Sequence, residues 1–106
     1  MKRLSLIALA TLLALPLAAE SKGSETKGKY FYKKNCKSCH VEGGSAMVLT
    51  PLSHTQTQWK KIIEAGQHGK TGPFVPKLVT PEQLQDIKAF LMSHASDSPQ
   101  PETCGG

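Results

Sequence analysis

The sequence predicts a small all-α domain. Three stretches carry helical spacing of apolar residues, two of them opening on capping boxes, and the segments between are rich in glycine and proline. At 106 residues the chain is short enough that a single domain is expected.

The first stretch lies outside that domain. Lys2 and Arg3 precede an almost unbroken apolar run over residues 4–17, and Ala19 supplies a small residue before a polar stretch. This is the pattern of a secretory signal peptide, residues 1–19, cut after Ala19. The run is shorter than the roughly 20 apolar residues of a bilayer span, so cleavage is favoured over a retained anchor, the alternative. No cysteine stands at the cut to take a lipid. Processing would remove Lys2 and Arg3 and bring the net charge from +5 to about +3, too weakly basic for nucleic-acid binding to be a good reading. The expected location is periplasmic, of bacterial type, without membrane insertion after cleavage.

Residues 20–27 are polar and read as a flexible leader; the folded domain is expected over 28–96. A first helix from about Gly28 places Gly28, Phe31, Tyr32 and Asn35 on one face. Residues 41–54, with Gly43, Gly44 and Pro51, show no sustained period and read as a loop. Thr55 and Gln58 form a capping box for a second helix, Trp59, Ile62 and Ile63 give it an apolar stripe, and Gly66 closes it. A second loop covers 67–79. Thr80, Pro81 and Gln83 then open a last helix whose Leu84, Ile87, Phe90 and Leu91 share a face, with His94 one turn on. Residues 97–106 are a Pro- and Gly-rich tail carrying Cys104, an odd thiol that can stay free or pair with another chain.

The chemistry is concentrated in Cys36-Lys37-Ser38-Cys39-His40. A C-x-x-C-H run is the attachment arrangement of c-type haem: two thiols form thioethers to the haem vinyls, and the adjoining imidazole binds the iron. The competing readings are a redox dithiol, which wants a βαβ context, and zinc, which wants four ligands; no second pair at similar spacing is present, although His54 and His68 are available. Export and covalent haem support each other, because haem is attached outside the cytoplasm.

Gly28, Tyr32 and Cys36 at four-residue steps, the motif itself, and the closing pattern Leu84, Ile87, Phe90, Leu91 resemble a small bacterial class I monohaem cytochrome c over about residues 27–94. The resemblance implies three to four short helices around one covalent haem c (iron protoporphyrin), Cys36 and Cys39 as its thioether residues, and His40 as the proximal iron ligand. It also implies a close crossing of the first and last helices at Gly28, with Tyr32 near Phe90. Phe31, Tyr32, Trp59, Ile62, Phe74, Leu84, Ile87 and Phe90 are expected to build the apolar pocket, with Trp59 as core. The implied function is single-electron transfer between redox proteins, not enzymatic catalysis. Lys27, Lys29, Lys33, Lys34 and Lys37 offer a basic rim to an acidic partner face, or simply a solvated helix face.

One departure stands out. The family usually carries a methionine before the last helix, and this chain has none between Met47 and Met92. His68, in that loop, is the favoured sixth ligand; Met47, Met92 and His54 are lesser candidates, and His94 reads as a surface residue. An open sixth position would make the protein a haem-based small-ligand binder or minor peroxidase. A non-haem metal or thiol module is the third reading.

Overall fold

A computed structural model of the protein describes residues 23–102. The expected signal peptide and Cys104 fall outside the described residues. Within them are three α-helices: α1 (Glu25–Asn35), α2 (Gln56–Ala65) and α3 (Pro81–Ser93), with single 3₁₀ turns at Pro51–Ser53 and Gly69–Thr71. Among the described residues there is no strand, only an isolated antiparallel bridge between Gln67 and Pro73. This is the small all-α cytochrome c fold expected, and among the described residues no helix is long and apolar enough to cross a membrane.

The two later helices begin where their capping chemistry says. Thr55 and Thr80 each accept from the third backbone N–H of the helix, while Gln58 and Gln83 return the bond to the cap N–H. Gly66, at φ 73°, ends α2 in the left-handed region that glycine enters without a Cβ clash.

Helix α1 begins three residues before the expected Gly28, inside the stretch read as a leader. Ser24 caps it, its side chain accepting from the Lys27 N–H, and the Ser24 N–H donates to Asp86 Oδ1 of α3 at 2.7 Å. Gly23 lies against the Gln85 carbonyl so tightly that a Cβ would come within 2.1 Å. The anchor is therefore tertiary and leaves little local signal. The far boundary moves too: Gln56 N–H donates to Asp97 Oδ1 at 2.8 Å, Glu102 N–H to the His94 carbonyl at 3.0 Å, and Ser98 is buried. Residues 97–102 thus fold back on the domain instead of leaving it.

The organising contact is α1 on α3. A Cβ at Gly28 would sit 1.9 Å from the Asp86 carbonyl oxygen and 2.9 Å from Phe90 Cβ, so only glycine permits this approach. One turn on, the Tyr32 and Phe90 rings pack at 5.6 Å. Helix α2 completes the core with Trp59 and Ile63, beside Val79, Leu84, Ile87, Leu91 and Ala95. The Trp59 indole N–H donates to the Pro51 carbonyl at 2.8 Å, which ties the long 41–54 loop to α2 and satisfies the one polar group the indole buries.

Candidate functional site

The three helices leave a cavity of about 390 Å³ between them, within the size range of cofactor sites. Trp59, Ile62 and Ile63 of α2, Leu84, Ile87 and Leu91 of α3, and Phe74 give it an apolar wall. Cys36, Cys39 and His40 stand on one side, and His68 and Thr71 also line it.

The C-x-x-C-H run is wound directly onto the end of α1. Cys36 and Lys37 N–H groups both donate to the Tyr32 carbonyl at 2.9 Å, and Cys39 and His40 N–H groups return to the Cys36 carbonyl at 3.1 and 3.0 Å. This turn carries both thiols and the imidazole to the same cavity. Before any haem is attached, burial, then the neighbouring Cys39, pushes the Cys36 thiol up to about 11. The Tyr32 hydroxyl donates to the Leu49 carbonyl at 2.6 Å and fastens the following loop across the mouth of the turn.

His40 Nδ1 lies 2.7 Å from the Met47 carbonyl oxygen. A carbonyl can only accept, so Nδ1 carries the proton and Nε2 is left with its lone pair, the arrangement of a metal-binding histidine oriented from behind. His68 lines the same cavity. Its ring centroid is 5.8 Å from that of His40, the planes at 76°. Two ring nitrogens each about 2 Å from one metal ion on opposite sides stand about 4 Å apart with their ring centroids farther out, so the centroid separation leaves room for one iron. Among the described residues no three His, Cys, Asp or Glu side chains gather as a metal site, so a four-ligand zinc shell is not assembled here.

The lesser candidates Met47, His54 and Met92 lie elsewhere, as does His94, read from the sequence as a surface residue. Met47 contributes its carbonyl but turns its side chain outward, 71% exposed. His54 packs edge-on against Trp59 at 4.6 Å. His94 Nδ1 lies 2.9 Å from the Gln100 carbonyl, and Met92 packs half-buried against the core. None of the four lines the cavity. Nor do Phe31 and Phe90, which the sequence assigned to the pocket: Phe90 is spent on the α1–α3 crossing, and Phe31 packs on the outer side of the core. Leu49, Val79 and Thr71 take part instead; they sit in aperiodic segments where no spacing rule marks them.

A C-x-x-C-H turn leading out of the first of three helices into an apolar cavity, with that helix crossed by the last, is the architecture of a small class I cytochrome c. Residues 23–91 match the family model for cytochrome C oxidase, cbb3-type, subunit III, and the chain belongs to that family of monohaem cytochrome c domains. No curated protein and no solved structure matches the chain. The cofactor is covalently bound haem c, and the protein is a haem-binding electron carrier that works with redox proteins.

Proposed function

We propose that the protein is an exported, periplasmic monohaem carrier whose haem is attached through Cys36 and Cys39 and whose iron is ligated by His40 and His68. The observation that carries the reading is the pair of imidazoles that line one cavity with ring centroids 5.8 Å apart, each with its Nδ1 engaged by an oxygen of the protein. Bound haem supplies a one-electron ferric/ferrous couple. The chain's own contribution is to grip, orient and dry it. The His40–Met47 bond holds the proximal ring, while Trp59, Ile63, Ile87 and Leu91 keep water from the cavity floor. A thioether sixth ligand raises the potential of a c-type haem; with imidazole in its place, ferric iron is favoured and the potential lies below that of His/Met relatives. Export is supported by the charged and apolar pattern of residues 1–19.

The partner proposed is a redox protein with an acidic docking face. Lys27, Lys33, Lys34 and Lys37 are exposed on and just after α1, and among the described residues no ion pair occupies them.

Absorption spectra of the purified protein, oxidised and reduced, test the ligation. A low-spin bis-imidazole spectrum with slow, incomplete binding of carbon monoxide is expected. A sulfur-to-iron charge-transfer band, or fast and complete binding of carbon monoxide to the reduced protein, overturns His68 as ligand. A mass equal to the bare polypeptide overturns covalent attachment, and a mature N-terminus other than Glu20 overturns the assigned cut.

A further inference from the structure

We infer that Thr71 is a positioning residue for iron ligation: it fixes the tautomer and orientation of His68. The inference rests on the assignment of His68 as sixth ligand and adds to it the device that makes this histidine competent.

The loop bearing His68 closes on itself. The His68 N–H donates to the Gly72 carbonyl at 2.7 Å, the Thr71 N–H to the His68 carbonyl at 3.0 Å, and the Phe74 N–H to the Gly66 carbonyl at 3.0 Å. Two corners lie in the left-handed region, Gly69 at φ 53° and Gly72 at φ 103°, which suits glycine at both. The backbone of His68 is thereby placed, but its ring still has two possible tautomers and two faces.

Thr71 removes that freedom. A threonine hydroxyl has one proton to give, and the Thr71 hydroxyl stands 2.6 Å from the His68 carbonyl oxygen, an atom that can only accept. The proton is committed there. The same Oγ1 lies 2.8 Å from His68 Nδ1 and can therefore only accept from it. Nδ1 must carry the imidazole proton, and Nε2 keeps its lone pair. This repeats, with a side chain, what the Met47 carbonyl does for His40. The Phe74 ring, 5.4 Å from His68 and tilted by 40°, backs the imidazole.

Thr71→Val keeps the β-branched shape and deletes the acceptor; Thr71→Ser keeps the acceptor. Outer-sphere partners of metal-binding histidines are worth about 10–100-fold in ligand affinity, so in the haem-loaded protein T71V should bind carbon monoxide in the ferrous state about tenfold faster, as His68 dissociates more readily. T71S should stay within about twofold of wild type by the same scale. Nitrogen-15 NMR of the ferrous wild-type protein should show a protonated His68 Nδ1, a readout that requires no variant. His68→Ala separates the two levels. If it leaves the ferric spectrum and carbon monoxide kinetics unchanged, the ligand assignment itself fails. If it changes both while T71V behaves as wild type, or if His68 Nδ1 proves unprotonated, the role of Thr71 alone is overturned.

Discussion

The imidazole of His40 is held by the backbone carbonyl of Met47, not by its side chain: Nδ1 and the carbonyl oxygen are 2.7 Å apart, and the thioether points into solvent. A methionine seven positions from this histidine thus meets the site through its backbone. Met47→Ala should leave the oxidised and reduced spectra unchanged, whereas His40→Ala should abolish the low-spin spectrum. A potential shift of the size expected for replacing an axial ligand in Met47→Ala would show that the thioether reaches the iron.

Gly28→Ala tests the helix crossing. Its Cβ would collide with the Asp86 carbonyl, which is backbone and cannot swing aside. Overpacking of this kind costs about 1–3 kcal/mol, occasionally more, and the backbone contact places Gly28→Ala at about 3 kcal/mol. Denaturant titration of the haem-loaded protein measures it. A midpoint equal to wild type would mean that α1 and α3 can separate at no cost.

Trp59→Phe isolates one hydrogen bond. The ring volume is largely retained, but the buried Pro51 carbonyl loses its indole partner. An orphaned buried acceptor costs about 1–3 kcal/mol, readable as a lowered unfolding midpoint. Trp59→Ala adds a cavity and should cost about 3–5 kcal/mol.

Alkaline pH should weaken the fold through Tyr32. Burial above all, with the charge of Glu102 adding to it, pushes its hydroxyl up to about 12 from an ordinary value near 10. The folded state therefore holds this proton more tightly than the unfolded chain. The resulting stability is fully present below pH of about 10 and is lost as pH rises toward about 12. Tyr32→Phe should flatten that decline while lowering stability at neutral pH, where the Leu49 carbonyl loses its donor. An identical alkaline slope in wild type and variant would remove Tyr32 from the account.

Electron transfer to an acidic redox partner should slow as salt rises across the range where the screening length falls from about 30 to 8 Å. Charge-reversing Lys33 and Lys34 together should reduce both the rate and its salt dependence. A rate indifferent to ionic strength would make the lysines an ordinary solvated face.

What the sequence displayed was chemistry written in neighbouring residues. Thr55 with Gln58, Thr80 with Gln83, and Gly66 act over a single helical turn, and both helices they bound form as expected. Gly28 and Tyr32 were legible because the crossing they make repeats a known spacing. The start of α1 was not, since Ser24 and Gly23 owe their places to Asp86 and Gln85, some sixty residues on. Phe31 and Phe90 were sent to the wrong side because helical periodicity marks an apolar face without saying whether another helix or a cavity meets it. His68 was singled out by its place in the loop, and its ring does line the cavity. Its partner Thr71 was not singled out, because a hydroxyl in a glycine-rich turn carries no distinguishing pattern.

The loop from Gln67 to Pro73 is stapled at both ends, by the bridge between those residues and by the Phe74–Gly66 bond. It borrows little from α1 or α3. Such a cassette offers a short, self-contained stretch in which the proposed sixth ligand can be exchanged while the α1–α3 crossing stays as it is.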